Sequence, residues 1–153
     1  MKKHVSLTIA TVIAALGFVL LLPLSDAAAA TIEPIVPDNI KAGDVISVPL
    51  KVTDAKAQEI EAWGMDIMTD GLEFLGMEKA GTLVANSPSF DSNQITESQI
   101  RCGAYHGKIA LRDGASLVTM KFKVKGTSAK IRLTGFVDDL AGTKSSAKQI
   151  NGK

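Results

Sequence analysis

The sequence predicts an antiparallel β-sandwich, and three observations carry that expectation. Short segments of alternating apolar and polar residues recur along the chain, as in Trp63, Met65 and Ile67 set between Gly64, Asp66 and Met68. A period of two marks a half-buried strand. Breaks rich in Gly and Asp separate these segments, among them Ala42-Gly43-Asp44, Asp70-Gly71 and Arg112-Asp113-Gly114. Beyond the amino-terminal leader, no segment sustains helical periodicity over three turns. Many short strands joined by such turns pack as two layers.

The chain has 153 residues, enough for one domain. It opens with Met1-Lys2-Lys3-His4, is apolar from Val5 to Leu24, and reaches Ala27-Ala28-Ala29-Ala30. A basic start, an apolar centre and a small-residue end describe a secretory signal peptide over residues 1–30. Ala28-x-Ala30 and Ala27-x-Ala29 both suit the peptidase, and an uncleaved membrane anchor is the alternative. Either way residues 31–153 form one exported domain, secreted, extracellular or periplasmic. The leader takes Lys2, Lys3 and Asp26 out of totals of 17 Lys+Arg and 16 Asp+Glu, which leaves the remainder balanced. That balance argues against a nucleic-acid or anionic-membrane partner. A domain of this size buries roughly two thirds of its unfolded surface and folds without staples.

The elements follow in order. Thr31 to Pro37 contains Pro34 and Pro37 and suits an edge strand. Val45 to Thr53 alternates Ile46, Val48, Leu50 and Val52 with polar residues, and Pro49 assigns it to an edge or a bulge. Asp54 to Glu61 is too short and polar for a helix. Ala62 to Leu83 then reads as strand, Asp70-Gly71 break, strand and Gly81, and Thr82 to Asn86 as a further short strand. Ser87 to Ser98 is full of turn formers and reads as a loop. Gln99 to Tyr105 points Ile100, Cys102 and Ala104 inward, and Lys108 to Leu111 is a brief extended piece. Ser116 to Lys125 places Val118, Met120, Phe122 and Val124 on one face. Leu117, Thr119, Lys121, Lys123 and Lys125 take the other. Ile131 and Leu133 alternate in a last strand that runs into Phe136-Val137, and a polar tail follows.

Chemistry-bearing residues are sparse. Cys102 is the only cysteine, so no intramolecular disulfide is available, and its phase makes it a small buried hydrophobe. Trp63 shares the phase of Met65 and Ile67 and is a core residue rather than a sugar platform. Tyr105 is the aromatic expected outside. Asp138-Asp139 lacks the spaced oxygens a calcium site needs and reads as a polar turn. His106 is the one histidine after the leader, and no hydrolase, metalloprotease or phosphate-loop motif occurs. The chain therefore reads as non-enzymatic, with no cofactor and no metal site. Lys121, Lys123 and Lys125 form a basic stripe, either a solvated face that discourages edge pairing or part of a protein-binding patch.

Three segments carry a family resemblance. Gly43-Asp44-Val45-Ile46-Ser47-Val48-Pro49-Leu50 is similar to the GDxVxVPV segment that opens cohesin modules. MDIMTDGLEFLGMEKAGTL resembles the cohesin run of strand, short turn, Val-Leu-Glu and Gly. Arg112-Asp113-Gly114 leading into LVTMKFKVKG is similar to DGxLxxIxFKV. The matches fall in the family's order over nearly all of the mature chain. Two departures stand out: Thr69 replaces a tyrosine before the turn, and Gly64 replaces a polar residue often used in recognition.

The resemblance implies a jelly-roll β-sandwich of about nine strands, with no catalysis, that binds dockerin-type helical modules. It implies one flat sheet face built from Ala62–Thr69, Thr82–Asn86, Gln99–Tyr105 and Ser116–Lys125. The outward residues expected to meet the partner are Asp66, Met68, Arg101, Tyr105, Thr119, Lys121 and Lys123, with Gly64 and Gly103 between them. The leading expectation is a cohesin-like module docking a protein partner through this face. A carbohydrate-binding module, with polysaccharide as partner, is the runner-up, and a cell-envelope component without dockerin binding is the third reading.

Overall fold

The structure is a computed structural model that describes residues 30–55, 59–105, 107–135 and 145–149. The leader up to residue 29, His106, Phe136-Val137 and Asp138-Asp139 lie outside the described residues. Eleven strands are described: β1 Thr31–Pro34, β2 Val45–Thr53, β3 Glu59–Ile60, β4 Trp63–Asp70, β5 Leu72–Glu78, β6 Asp91–Thr96, β7 Gln99–Ala104, β8 Ile109–Ala110, β9 Ser116–Val124, β10 Ser128–Gly135 and β11 Ser145–Gln149. Nine of them form two antiparallel sheets, ordered β1-β2-β9-β5 and β11-β10-β4-β7-β6, and β3 pairs with β8 in a small ribbon. The architecture is the expected all-β sandwich.

Alternation builds the core. Val48, Leu50 and Val52 of β2 and Val118, Met120, Phe122 and Val124 of β9 face inward from one sheet, all at most 1% exposed. Trp63, Met65 and Ile67 of β4, Ile100 and Cys102 of β7, and Ile131 and Leu133 of β10 meet them from the other. Each large apolar side chain buried in this way contributes about 1.5–3 kcal/mol. Trp63 is 2% exposed, as its phase requires, and packs 6.0 Å from the ring of Phe90.

Pro49 sits inside a sheet, since β2 runs between β1 and β9. Of the two places open to it, an edge or a bulge, the structure uses the bulge: the β2–β9 register shifts between Pro49 and Lys51. Proline has no N–H to donate, and a bulge is where the ladder is interrupted. The edge strand expected at the start is β1, and it ends at Pro34, paired with Leu50.

Three expectations need correction, and the Asp70-Gly71 break proves to be a change of layer. β4 belongs to the five-stranded sheet and β5 to the four-stranded one, so the chain changes layer at Gly71. Its carbonyl accepts from Lys125 N–H at 2.8 Å and Gly126 N–H at 3.3 Å, where the β9–β10 connection makes the opposite crossing. Thr82–Asn86 is a run of turns, not a strand, tied to β9 by Leu83 N–H to Ser116 carbonyl at 2.9 Å. Leu117, expected on the polar side of β9, is 0% exposed, because the extra β9 residue at the β2–β9 register shift sets Leu117 and Val118 together opposite Leu50. Ser87–Ser98 is not all loop. It contains β6, which pairs with β7 from Asp91↔Gly103 to Thr96↔Gln99.

Candidate functional site

The outer surface of the five-stranded sheet is built by residues that alternate with core side chains. On β4 these are Gly64, Asp66 and Met68, and on β7 they are Gln99, Arg101 and Gly103. Register aligns them with Asp91 and Asn93 on β6 and with Arg132 and Thr134 on β10. One row therefore runs Thr134, Asp66, Arg101, Asn93 across four strands. At its centre Arg101 donates twice to Asp66, from Nε to Oδ1 at 2.8 Å and from Nη2 to Oδ2 at 3.0 Å. Such a fork-to-fork pair fixes both side chains in one plane.

Electrostatics follow from this geometry. The guanidinium hydrogen bond holds the Asp66 carboxyl below the usual carboxylate range, against the opposing effect of partial burial. The same bond raises Arg101 further above its already high value. One position along, Cys102 faces the core, and burial, with a smaller contribution from the Asp66 charge, pushes its thiol up to about 12. Below, Lys130 approaches Asp70 at 3.8 Å between two exposed side chains. Tyr105 follows β7 with 59% exposure, and Ile95 on the edge strand β6 has 50%.

Asp66, Met68, Arg101 and Tyr105 are thus gathered on one surface. Thr119, Lys121 and Lys123 are not with them. They belong to β9, in the four-stranded sheet, and the core separates the two outer surfaces. The physical reason is the layer change at Gly71, which sends β5 and its partner β9 into the opposite layer. There Lys121 pairs with Glu78, Lys125 approaches Glu73 at 3.7 Å, and Lys123 stands in register between Val45 and Glu73. Two of the three lysines of the basic stripe thus have a carboxylate beside them. Gly64 points outward as expected but is buried, and it faces Gly103 directly across the strand pair.

Sequence reasoning missed Asn93 and Ile95, because β6 is polar on both sides and carries no apolar alternation. It also left Arg132, Thr134 and Lys130 unplaced. The alternation with Ile131 and Leu133 was visible, but nothing local says that β10 pairs with β4. Among the described residues, no three His, Cys, Asp or Glu side chains gather to hold a metal. What the surface offers a partner is hydrogen-bonding groups and exposed apolar area.

Comparison with known proteins gives the fold its relatives. No curated protein sequence matches the chain. Among solved structures, the chain is similar to the sixth cohesin of scaffoldin B from Acetivibrio cellulolyticus, solved in complex with a Cel5 dockerin. The TM-score is 0.63 at 16% identity, over 80% of this chain and 99% of that one. It is similar to the OlpA cohesin of a type I cohesin–dockerin complex from Clostridium thermocellum, with TM-score 0.60 and 22% identity over 78% and 99%. A non-cellulosomal cohesin from the archaeon Archaeoglobus fulgidus gives TM-score 0.58 and 23% identity over 80% and 91%. The model of the cohesin domain matches residues 34–153, nearly the whole sandwich, and the chain belongs to the cohesin domain family.

Proposed function

We propose that this chain is an exported, non-catalytic docking module that holds a dockerin-type partner on the outer surface of its five-stranded sheet. Family membership supports docking, and two similar cohesins were solved bound to dockerins. The observation that carries the choice of surface is the row Thr134, Asp66, Arg101, Asn93, which spans four strands on an open face. Around it Met68, Ile95 and Tyr105 offer apolar area beside fixed polar groups, the composition of a protein-binding surface. On the opposite surface Lys121 pairs with Glu78 and Lys125 approaches Glu73. Export is proposed from the leader over residues 1–30. A polysaccharide-degrading or other cell-surface assembly is the proposed setting.

The test is capture from the host's secreted and envelope proteins on the immobilised mature domain, with calcium and then with chelator, and identification by mass spectrometry. Retention of a dockerin-bearing protein that elutes with chelator is expected. Capture of none, with the sandwich intact, overturns the reading.

A further inference from the structure

We propose that the same sheet surface carries a carbohydrate subsite, a groove floored by Gly64 and Gly103 that takes a neutral pyranose ring. The proposal stands apart from dockerin binding. The two glycines are opposite each other on β4 and β7, at positions where the next row carries Asp66 and Arg101. A Cβ on Gly103 would lie 2.6 Å from the Trp63 carbonyl oxygen and 3.3 Å from Gly64 Cα, so the strands here leave room for nothing but backbone. The result is a groove of about 420 Å³, within the size range of small-ligand sites, walled by Ser89, Asp91, Asn93, Arg101 and Tyr105.

The wall chemistry selects the ligand. A pyranose has a flat C–H face and a rim of hydroxyls. Bare glycine backbone and the exposed ring of Tyr105 suit the first. The carboxylate of Asp91 and the amide of Asn93 suit the second. Tyr105 is held at the wall through its backbone: its N–H donates to Ser89 Oγ at 2.9 Å, and the Ser89 hydroxyl also bonds its carbonyl. The guanidinium of Arg101 is committed to Asp66, so the groove offers no uncompensated cation to a phosphate or uronate. Asp91 accepts from Ser92 N–H at 2.8 Å and adds negative charge that disfavours an acidic sugar.

The experiment is an amide NMR titration of the labelled mature domain with methyl β-glucoside, methyl β-galactoside, methyl N-acetyl-β-glucosaminide and glucuronate at millimolar concentration. Saturable shifts at Gly64, Gly103, Asn93 and Tyr105 with at least one neutral sugar, weaker with glucuronate, are expected. Tyr105→Ala should weaken that binding about tenfold, and Tyr105→Phe should keep both fold and binding. Three results each overturn the proposal. No neutral sugar shifts these amides, indole shifts them while the sugars do not, or Tyr105→Ala leaves sugar binding unchanged.

Discussion

Neighbouring residues on one strand meet opposite surroundings, and their chemistry diverges. Arg101 is exposed and paired with Asp66, whereas Cys102 is 2% exposed in the core. Its thiol is raised from 9.0 to about 12 by burial. A raised folded-state pKa adds stability that is complete below the unfolded value and is lost as pH rises. Between roughly 9 and 12, unfolding releases a proton that the folded chain retains, so stability falls with pH. A denaturation series across that range should show the decline, and Cys102→Ala should flatten it. In the native protein a disulfide reagent at neutral pH should leave Cys102 unmodified, and urea should release its reaction. Asp66 behaves in the opposite sense. Its lowered pKa gives stability above the unfolded value that is lost as pH falls through the folded one. Asp66→Asn should therefore reduce the acid sensitivity of the melting temperature while lowering stability near neutrality.

The corner at Gly71 decides which layer each following strand joins. Gly71 has φ 72°, and a methyl there would run into the carbonyl oxygen of Ser128. Both constraints act at once, because the β4–β5 and β9–β10 crossings are hydrogen-bonded to each other at this residue. Gly71→Ala should destabilise the fold by at least about 3 kcal/mol, measured by urea denaturation, since a strained backbone and a backbone clash combine. Gly114, with φ 76° and open space around its Cβ position, is the control, and Gly114→Ala should cost only about 1 kcal/mol. The elements differed in how legible they were. β2, β4, β7, β9 and β10 alternate apolar and polar residues over five or more positions. β6 does not, and its strand character comes from pairing with β7. Leu83 and Val84 read as strand because they are apolar, and Val84 does join the core, but from a run of turns hydrogen-bonded to β9.

Over the whole molecule, the sandwich turns two sheets into two independent surfaces. A partner seated on one does not reach the other through the core. Charge reversal of Lys121 and Lys123 together should leave partner capture unchanged, because both sit on the four-stranded sheet. Charge reversal of Arg132, in register with Met68 on β10, should weaken capture and flatten its salt dependence, read by surface-plasmon titration. If the lysine pair matters and Arg132 does not, the docking surface is the opposite one.

The sequence by itself determined the all-β class, most strands, the inward set from Trp63 to Leu133, the burial of Cys102 and the family resemblance that the domain match bears out. These are local properties, because a period of two assigns each side chain to one side of its own strand. Only the tertiary structure decided which sides share a surface. That depends on which strands pair and on where the chain changes layer, and both are set by long-range hydrogen bonding. Asp66 and Arg101 came together because β4 and β7 are neighbours in register. Thr119, Lys121 and Lys123 were separated from them because a single glycine corner carries the chain across the core.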